Sequence, residues 1–212
     1  MARGELTQVG EAALLLRPAD PDDVPRLLRL VDAGADARVI DVVPGADSLL
    51  VVFVEPTTSG DRAWLGRVLA DLDDQGDVGA ANLRQPRPVH VVPVVYDGPD
   101  LAAVARHAAL RPEDVVELHS SVEYRVAFVG FQPGFAYLSG LPERLRVPRL
   151  ATPRPRVPAG SLGIGGEWTG IYPSASPGGW NLLGRTGLLL FDPFSERPAM
   201  LAPGDRVRIV PS

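Results

Sequence analysis

The first half of the chain alternates between short apolar runs and a helical repeat. Residues 12–17 (AALLLR) are a compact apolar run and predict a strand. Asp20-Pro21 then supplies an N-cap residue followed by proline at the first helical position, with Asp23 in the first turn. Val24, Leu27, Leu28 and Val31 recur at helical spacing, and Gly34 closes the helix. Residues 39–43 and 49–54 read as two strands joined by the turn Pro44-Gly45-Ala46-Asp47. Ser59 or Asp61 opens a second helix that places Trp64, Leu65, Val68, Leu69 and Leu72 on one face. Residues 73–87 are polar and marked by Gly and Pro, and residues 88–95 predict a fourth strand. The order is β-α-β-β-α-β, a ferredoxin-like unit over residues 1–95, preceded by a loosely ordered tail of about ten residues.

The pattern changes beyond residue 96. Residues 100–110 are Ala-rich and helical in spacing, and Arg111-Pro112-Glu113 restarts a helix that runs to His119. This pair reads as a connector. From Glu123 the pattern is all-β, with strands predicted over 124–131, 156–165, 187–192 and 206–210, the last entered through the turn Pro203-Gly204-Asp205. Short strands with long structured loops predict a small barrel or sandwich. Between Gly130 and Gly187 stand 12 Gly and 8 Pro. Such density usually marks low complexity, but Phe131, Phe135, Tyr137, Trp168, Tyr172 and Trp180 are threaded through it. The glycines must therefore serve turns, bulges and close approaches in packed β structure. The aromatics either form an apolar patch for a partner or pack over one open end of the barrel.

Composition narrows the chemistry. The 212 residues are 45% hydrophobic, enough for one large or two small cores, and no apolar run approaches a membrane span. The N-terminus lacks a signal-peptide layout, so the expected setting is cytoplasmic. No Cys is present, which excludes disulfides, thiolate nucleophiles and Cys-held zinc. No Lys is present either, which excludes a phosphate-loop lysine, a Schiff base and a biotin attachment site, and with the last a covalently bound cofactor. The net charge of −5 argues against nucleic acid. From Phe128 to Gly187, however, six Arg face only Glu143 and Glu167. That local excess suits a carboxylate or phosphate site, or else a solvated rim that meets a partner.

Familiar catalytic motifs are missing. Ala159 breaks a nucleophile elbow at Gly160-Ser161. Gly163, Gly165 and Gly166 lack dinucleotide spacing, and His90, His107 and His119 lack metal-ligand spacing, so no metal site is expected. His119 stands at a helix end just before the Gly/Pro-rich segment. It either caps that helix or reaches the loop 132–137 as a general base or orienting group.

The segments GFQPGFAYLSGLPERL, TPRPRVPAGSLGIGG, TGIYPSASPGGWNLLGRT and LFDP together resemble the family of 5-oxoprolinase B subunits, which includes the kinase-inhibitor KipI proteins and the first of the allophanate hydrolase subunits. The likeness is strong from His119 to Asp192. YDGPDLAAVARHAALRPEDVVELHSS is similar to that family's connector and PGDRVRI to its C-terminal turn. The resemblance implies an α+β protein, with a small N-terminal domain and a cyclophilin-like β-barrel over residues 96–212. It implies a protein that works with a C subunit of related fold and with an A subunit, cleaving 5-oxoproline to glutamate with ATP. The alternative it implies is an inhibitor that docks on a sensor histidine kinase. Trp168 stands where the family often has Gln, and Ala109 where Gly is expected, so the substrate is open between 5-oxoproline and an allophanate- or urea-related amide.

Activating a lactam by phosphorylating its carbonyl oxygen calls for donors to carboxylate and phosphoryl oxygens. The expected catalytic residues are His119 and Arg154, with Arg156 a further candidate donor. The expected substrate contacts are Gln132, Tyr137, Ser161, Thr169, Tyr172, Asn181 and Arg185. For each, the competing reading is a polar group satisfied within a tight loop.

Overall fold

The computed structural model describes residues 4–74 and 88–212. The expected polar loop at 73–87 therefore lies almost wholly outside the described residues. The chain divides into two compact units, residues 1–86 and 87–212.

The first unit contains β1 (Gly4–Val9), β2 (Ala13–Pro18), α1 (Val24–Gly34), β3 (Val39–Pro44), β4 (Leu49–Phe53) and α2 (Ser59–Asp74). Its strands form an antiparallel sheet in the order β1-β2-β4-β3. Alternation puts Leu14, Leu16, Leu49, Val51 and Phe53 on one face, where Leu27 and Val31 of α1 and Leu65, Val68, Leu69 and Leu72 of α2 close the core. Asp20 accepts from the Asp22 amide and starts a single 3₁₀ turn at Pro21 that leads into α1. Thr58 and Asp61 cap α2 reciprocally: the Thr58 amide donates to Asp61 Oδ2 at 2.7 Å and the Asp61 amide to Thr58 Oγ1 at 3.3 Å. Arg38 pairs with the buried Asp61 and ties β3 to that cap.

One strand differs from the expectation. Residues 4–9, expected as a loose tail, form β1, which turns at Gly10 (φ +61°) and pairs along the whole of β2. It supplies the fourth strand of this sheet, which residues 88–95 were expected to supply. Those residues instead form β5 (Val89–Val94), which lies in the second unit parallel to the last strand. Periodicity marks a strand but carries no information about its partner.

The second unit continues with α3 (Leu101–His107), α4 (Pro112–Ser120), β6 (Glu123–Val129), β7 (Ala136–Ser139), β8 (Arg154–Val157), β9 (Ser161–Gly165), β10 (Trp168–Ile171), β11 (Ser176–Gly178), β12 (Asn181–Arg185) and β13 (Arg206–Pro211). Seven strands form one sheet in the order β12-β9-β10-β7-β6-β13-β5, with a separate β8-β11 ribbon. Register shifts at 126–128 and 182–184 bend it. Its two edges meet where the Val95 and Arg185 amides and carbonyls exchange bonds of 2.9 Å, so the sheet is a nearly closed barrel. At this seam a Cβ on Gly184 would collide with the Val95 carbonyl oxygen, and one on Gly98 with that of Leu182. The helices are more than a connector: Val104, Ala105 and Val115 enter the barrel core beside Tyr124, Leu138, Ile164, Leu183 and Ile209.

The expected strand over 156–165 is two strands, because Gly160 (φ +79°) reverses the chain between β8 and β9. The expected strand over 187–192 is absent, and only Phe191 there bridges to Ala199. β7, β10, β11 and β12 all lie within what the sequence suggested were loops.

Candidate functional site

Phe135, Tyr172 and Trp180 pack with Val157 and Leu182 into a cluster separate from the main barrel core, flanked by the half-buried Tyr137 and Trp168. Glycine makes room for it. A Cβ on Gly165 would lie 2.6 Å from Trp180 Cδ1, and one on Gly170 would lie 2.7 Å from the Ala136 carbonyl oxygen and 3.1 Å from Trp180 Cζ3. The indole therefore rests on a bare backbone floor made by β9 and β10. Around it Phe135, Tyr137 and Tyr172 meet Trp180 edge-on at centroid distances of 5.4, 5.6 and 6.5 Å. Phe128 stacks on Tyr137 at 4.3 Å and meets Trp168 edge-on at 5.2 Å. Phe135, Tyr172 and Trp180 are thus core, not surface patch. The exposed aromatics are Phe131 and Phe194.

Phe131 has φ +69° and is spanned by a hydrogen bond from the Gln132 amide to the Gly130 carbonyl, a tight γ-turn that holds an exposed phenyl in a conformation rare for a bulky residue. Gln132-Pro133-Gly134-Phe135 follows as a β-turn, closed by the Phe135 amide on the Gln132 carbonyl, with Gly134 at φ +78°. The side chain of Gln132 is clamped to the 174 loop: Ser174 Oγ donates to its Oε1 at 3.0 Å, and its Nε2 donates to the Ser174 carbonyl at 3.3 Å.

Arg149 is one of two cations of this region, with Arg154. The Pro148 carbonyl accepts from Asn181 Nδ2 at 2.9 Å, and the Leu150 amide donates to the Gly179 carbonyl at 2.7 Å. The backbone on both sides of Arg149 is thereby fixed to the segment around Trp180, and the guanidinium carbon lies 6.0 Å from the centre of a Trp180 ring. Burial pushes the hydroxyls of Tyr137 and Tyr172 up from the ordinary tyrosine range, and the positive charge of Arg149 opposes the shift in both. Both are protonated at neutral pH.

A second polar group lies inside the barrel. His119, at the end of α4, is wholly buried. Its Nδ1 is 2.8 Å from the Tyr96 hydroxyl and its Nε2 is 3.0 Å from Thr169 Oγ1. Thr169 Oγ1 donates its single proton to the Gly163 carbonyl at 3.1 Å, so it must accept from His119. The proton positions follow. Tyr96 donates to Nδ1, Nε2–H donates to Thr169, and Thr169 donates to β9. The Tyr124 hydroxyl donates to the His119 carbonyl at 2.7 Å. Burial alone lowers the imidazole from its ordinary 6.5 to about 3, so it is neutral.

The expected site residues thus do not converge on one cleft. His119, expected as a general base, has both nitrogens committed inside the barrel and faces no solvent, as does its partner Thr169. Arg154, also expected to be catalytic, is paired: it donates to Asp100 at 2.7 Å and to the Trp180 carbonyl at 3.4 Å, while Asp100 also accepts from the Leu182 amide at 2.7 Å. Asn181 holds the backbone beside Arg149. Ser161 is buried at the start of β9, where its carbonyl accepts from the Tyr172 amide. Arg185 is exposed and pairs with Asp97 at 2.8 Å. Arg156 is exposed on the β8-β11 ribbon. Tyr137, Tyr172 and Gln132 do gather around the aromatic cluster. Arg149 and the floor glycines were not among the expected site residues, although an Arg two residues beyond Val147, within an Arg-rich and acid-poor segment, is a visible signal. Among the described residues no group of three His, Asp or Glu is placed to hold a metal ion.

A four-stranded sheet with its two helices and a nearly closed barrel carrying a glycine-floored aromatic cluster define a class that the comparisons identify. The family model for the carboxyltransferase domain, subdomains C and D, matches residues 5–201. The 5-oxoprolinase B subunit of Escherichia coli O157:H7 is 44% identical over 218 residues, covering 100% of this chain and 97% of that protein. The 5-oxoprolinase B subunit of Bacillus subtilis (strain 168) is 34% identical over 222 residues, covering 98% and 92%. A crystal structure of TTHA0988 superposes with a TM-score of 0.76 at 36% identity over 94% of this chain, which spans 40% of that longer protein. The chain belongs to the carboxyltransferase subdomain C and D family. Within that family it belongs to the group of 5-oxoprolinase B subunits.

Proposed function

We propose that this chain is the B subunit of an ATP-dependent 5-oxoprolinase, which opens the lactam of 5-oxoproline to glutamate together with the A and C subunits. The observation that carries this reading is the 44% identity to a 5-oxoprolinase B subunit along essentially the full length of both proteins. The 40% share of TTHA0988 supports assembly, since a barrel of this kind occurs there as one part of a larger polypeptide.

The aromatic cluster is the proposed place of substrate contact on this chain. Tyr137 offers a protonated hydroxyl on a half-buried ring that gives a five-membered ring an apolar contact, and Gln132 and Ser174 brace the turn that leads to Phe135. Tyr172 packs in the cluster against Phe135 and Trp180. Thr169 and Ser161 act through the backbone of β9, and Arg154 holds the Trp180 carbonyl in the bend between β11 and β12. With neither a lysine in the chain nor a metal-holding carboxylate group among the described residues, the ATP chemistry is assigned to the complex and no step of it to these side chains. A cytoplasmic setting fits such an enzyme; no helix among the described residues is long and apolar enough to cross a membrane.

The test is genetic. A strain lacking this gene is expected to accumulate 5-oxoproline and to fail to use it as a nitrogen source, with both defects reversed by the gene in trans. Normal clearance of 5-oxoproline in that strain would reject the proposal.

A further inference from the structure

We infer that Arg149, fixed over Trp180 and beside Tyr137, is the anchor of a binding site for a small carboxylate. The identity of the ligand as 5-oxoproline rests on the function proposed above; the carboxylate chemistry rests on the site alone.

The first argument is the free cation. Among the described residues Arg149 has no hydrogen-bond or ion-pair partner, whereas Arg154 and Arg185 nearby are each tied to an Asp. The second is its preparation. The residues on both sides of Arg149 are hydrogen-bonded to the backbone or side chain of residues 179–181. An exposed arginine normally loses side-chain freedom on binding; here the stem begins from a fixed backbone and the head lies against an indole, so less remains to be lost. The third is the setting. Glu143 and Glu167 are the only acids from residue 128 to 187, so the region offers little competition for a guanidinium. Tyr137 presents a hydroxyl with no protein partner among the described residues, and its ring lies 5.6 Å from that of Trp180.

A planar guanidinium takes a carboxylate through two parallel N–H bonds, and the adjacent phenol supplies a third donor. The half-buried ring of Tyr137 leaves an apolar surface for the rest of a compact ligand. An amide bearing a carboxylate on a neighbouring carbon matches both halves. Asn181 becomes a positioning residue, acting on the ligand only through the backbone of Arg149.

The test is a set of titrations by calorimetry and tryptophan fluorescence on the full chain and on its complex with the C subunit. The ligands are 5-oxo-L-proline, L-proline, glutarate and 2-pyrrolidinone, the last being the same lactam without a carboxylate. Loss of a charge-assisted bidentate pair is expected to weaken 5-oxoproline binding at least about ten-fold in Arg149→Gln, with Arg149→Lys in between. Binding of 2-pyrrolidinone is expected to be equal in wild type and variant. Arg149 is exposed, so circular dichroism and melting should be unchanged. If L-proline or glutarate binds in an Arg149-dependent way and 5-oxoproline does not, the carboxylate site stands and the proposed function falls. Equal affinity of Arg149→Gln and wild type for every carboxylate, or no carboxylate binding by chain or complex, would overturn the inference.

Discussion

At the scale of single residues, the imidazole of His119 joins four parts of the barrel: α4, which carries it, Tyr96 beyond β5, Thr169 on β10 and, through its carbonyl, Tyr124 on β6. Its neutrality has a consequence for stability. The folded-state value near 3 lies below the ordinary 6.5, so between these limits the unfolded chain binds a proton that the folded chain does not. Stability from this group is complete above pH 6.5 and falls as the pH drops, by at most about 1.4 kcal/mol per unit. Wild type is therefore expected to lose roughly 2 kcal/mol more unfolding free energy than His119→Gln between pH 7 and pH 5, measured by urea denaturation. A difference between the two proteins that does not change with pH would contradict the account of a buried neutral imidazole. None of this chain of bonds was legible in the sequence, where His119, Tyr96 and Thr169 lie far apart; only the odd position of a His at a helix end drew notice.

At the scale of elements, glycine takes the place that large side chains fill elsewhere. Gly163, Gly165 and Gly170 let an indole lie directly on two strands, and Gly98 and Gly184 let the edges of the sheet meet. Gly165→Ala is expected to cost about 1–3 kcal/mol by overpacking and to shift the tryptophan emission, because Trp180 must lift from its floor. Unchanged emission and stability would mean that the indole is not seated there. This glycine content also explains what the sequence concealed. α1, α2 and the β3-β4 hairpin were legible because their apolar positions repeat at clear periods and their ends carry Asp20-Pro21, Gly45 and Asp61, although the partner of Asp61 in the α2 cap is Thr58, not Ser59. β10, β11 and β12 were not, since strands interrupted by Gly and Pro lose the alternation on which recognition depends, and β7, with only four residues, is too short to display it. β1 was hidden because only Leu6 and Val9 of its six residues are large and apolar.

At the scale of the whole molecule, the α+β class and the barrel were legible, the latter because the family resemblance ran through the same Gly/Pro-rich segment that obscures its strands. Strand partnership was not, and β5 shows why. Its apolar pattern fits either sheet, and its parallel pairing with β13 joins residues over a hundred positions apart. Of the expected site residues, Tyr137 and Tyr172 lie at the aromatic cluster and Gln132 on the turn that leads into it, while Arg154, His119 and Thr169 are hydrogen-bonded within the fold; Arg149, outside the expected set, was not legible as a candidate.

The function proposed above requires this barrel as an indispensable part of a three-subunit enzyme that opens 5-oxoproline. The direct measurement is glutamate formation from 5-oxoproline by the purified A, B and C subunits, combined and in each pairwise set, with ATP hydrolysis followed in parallel. The account predicts glutamate and phosphate release from the full set alone, with each rising in proportion to this chain until the complex is saturated. Equal turnover by the A and C subunits without this chain, or a complete complex that forms no glutamate, would contradict it.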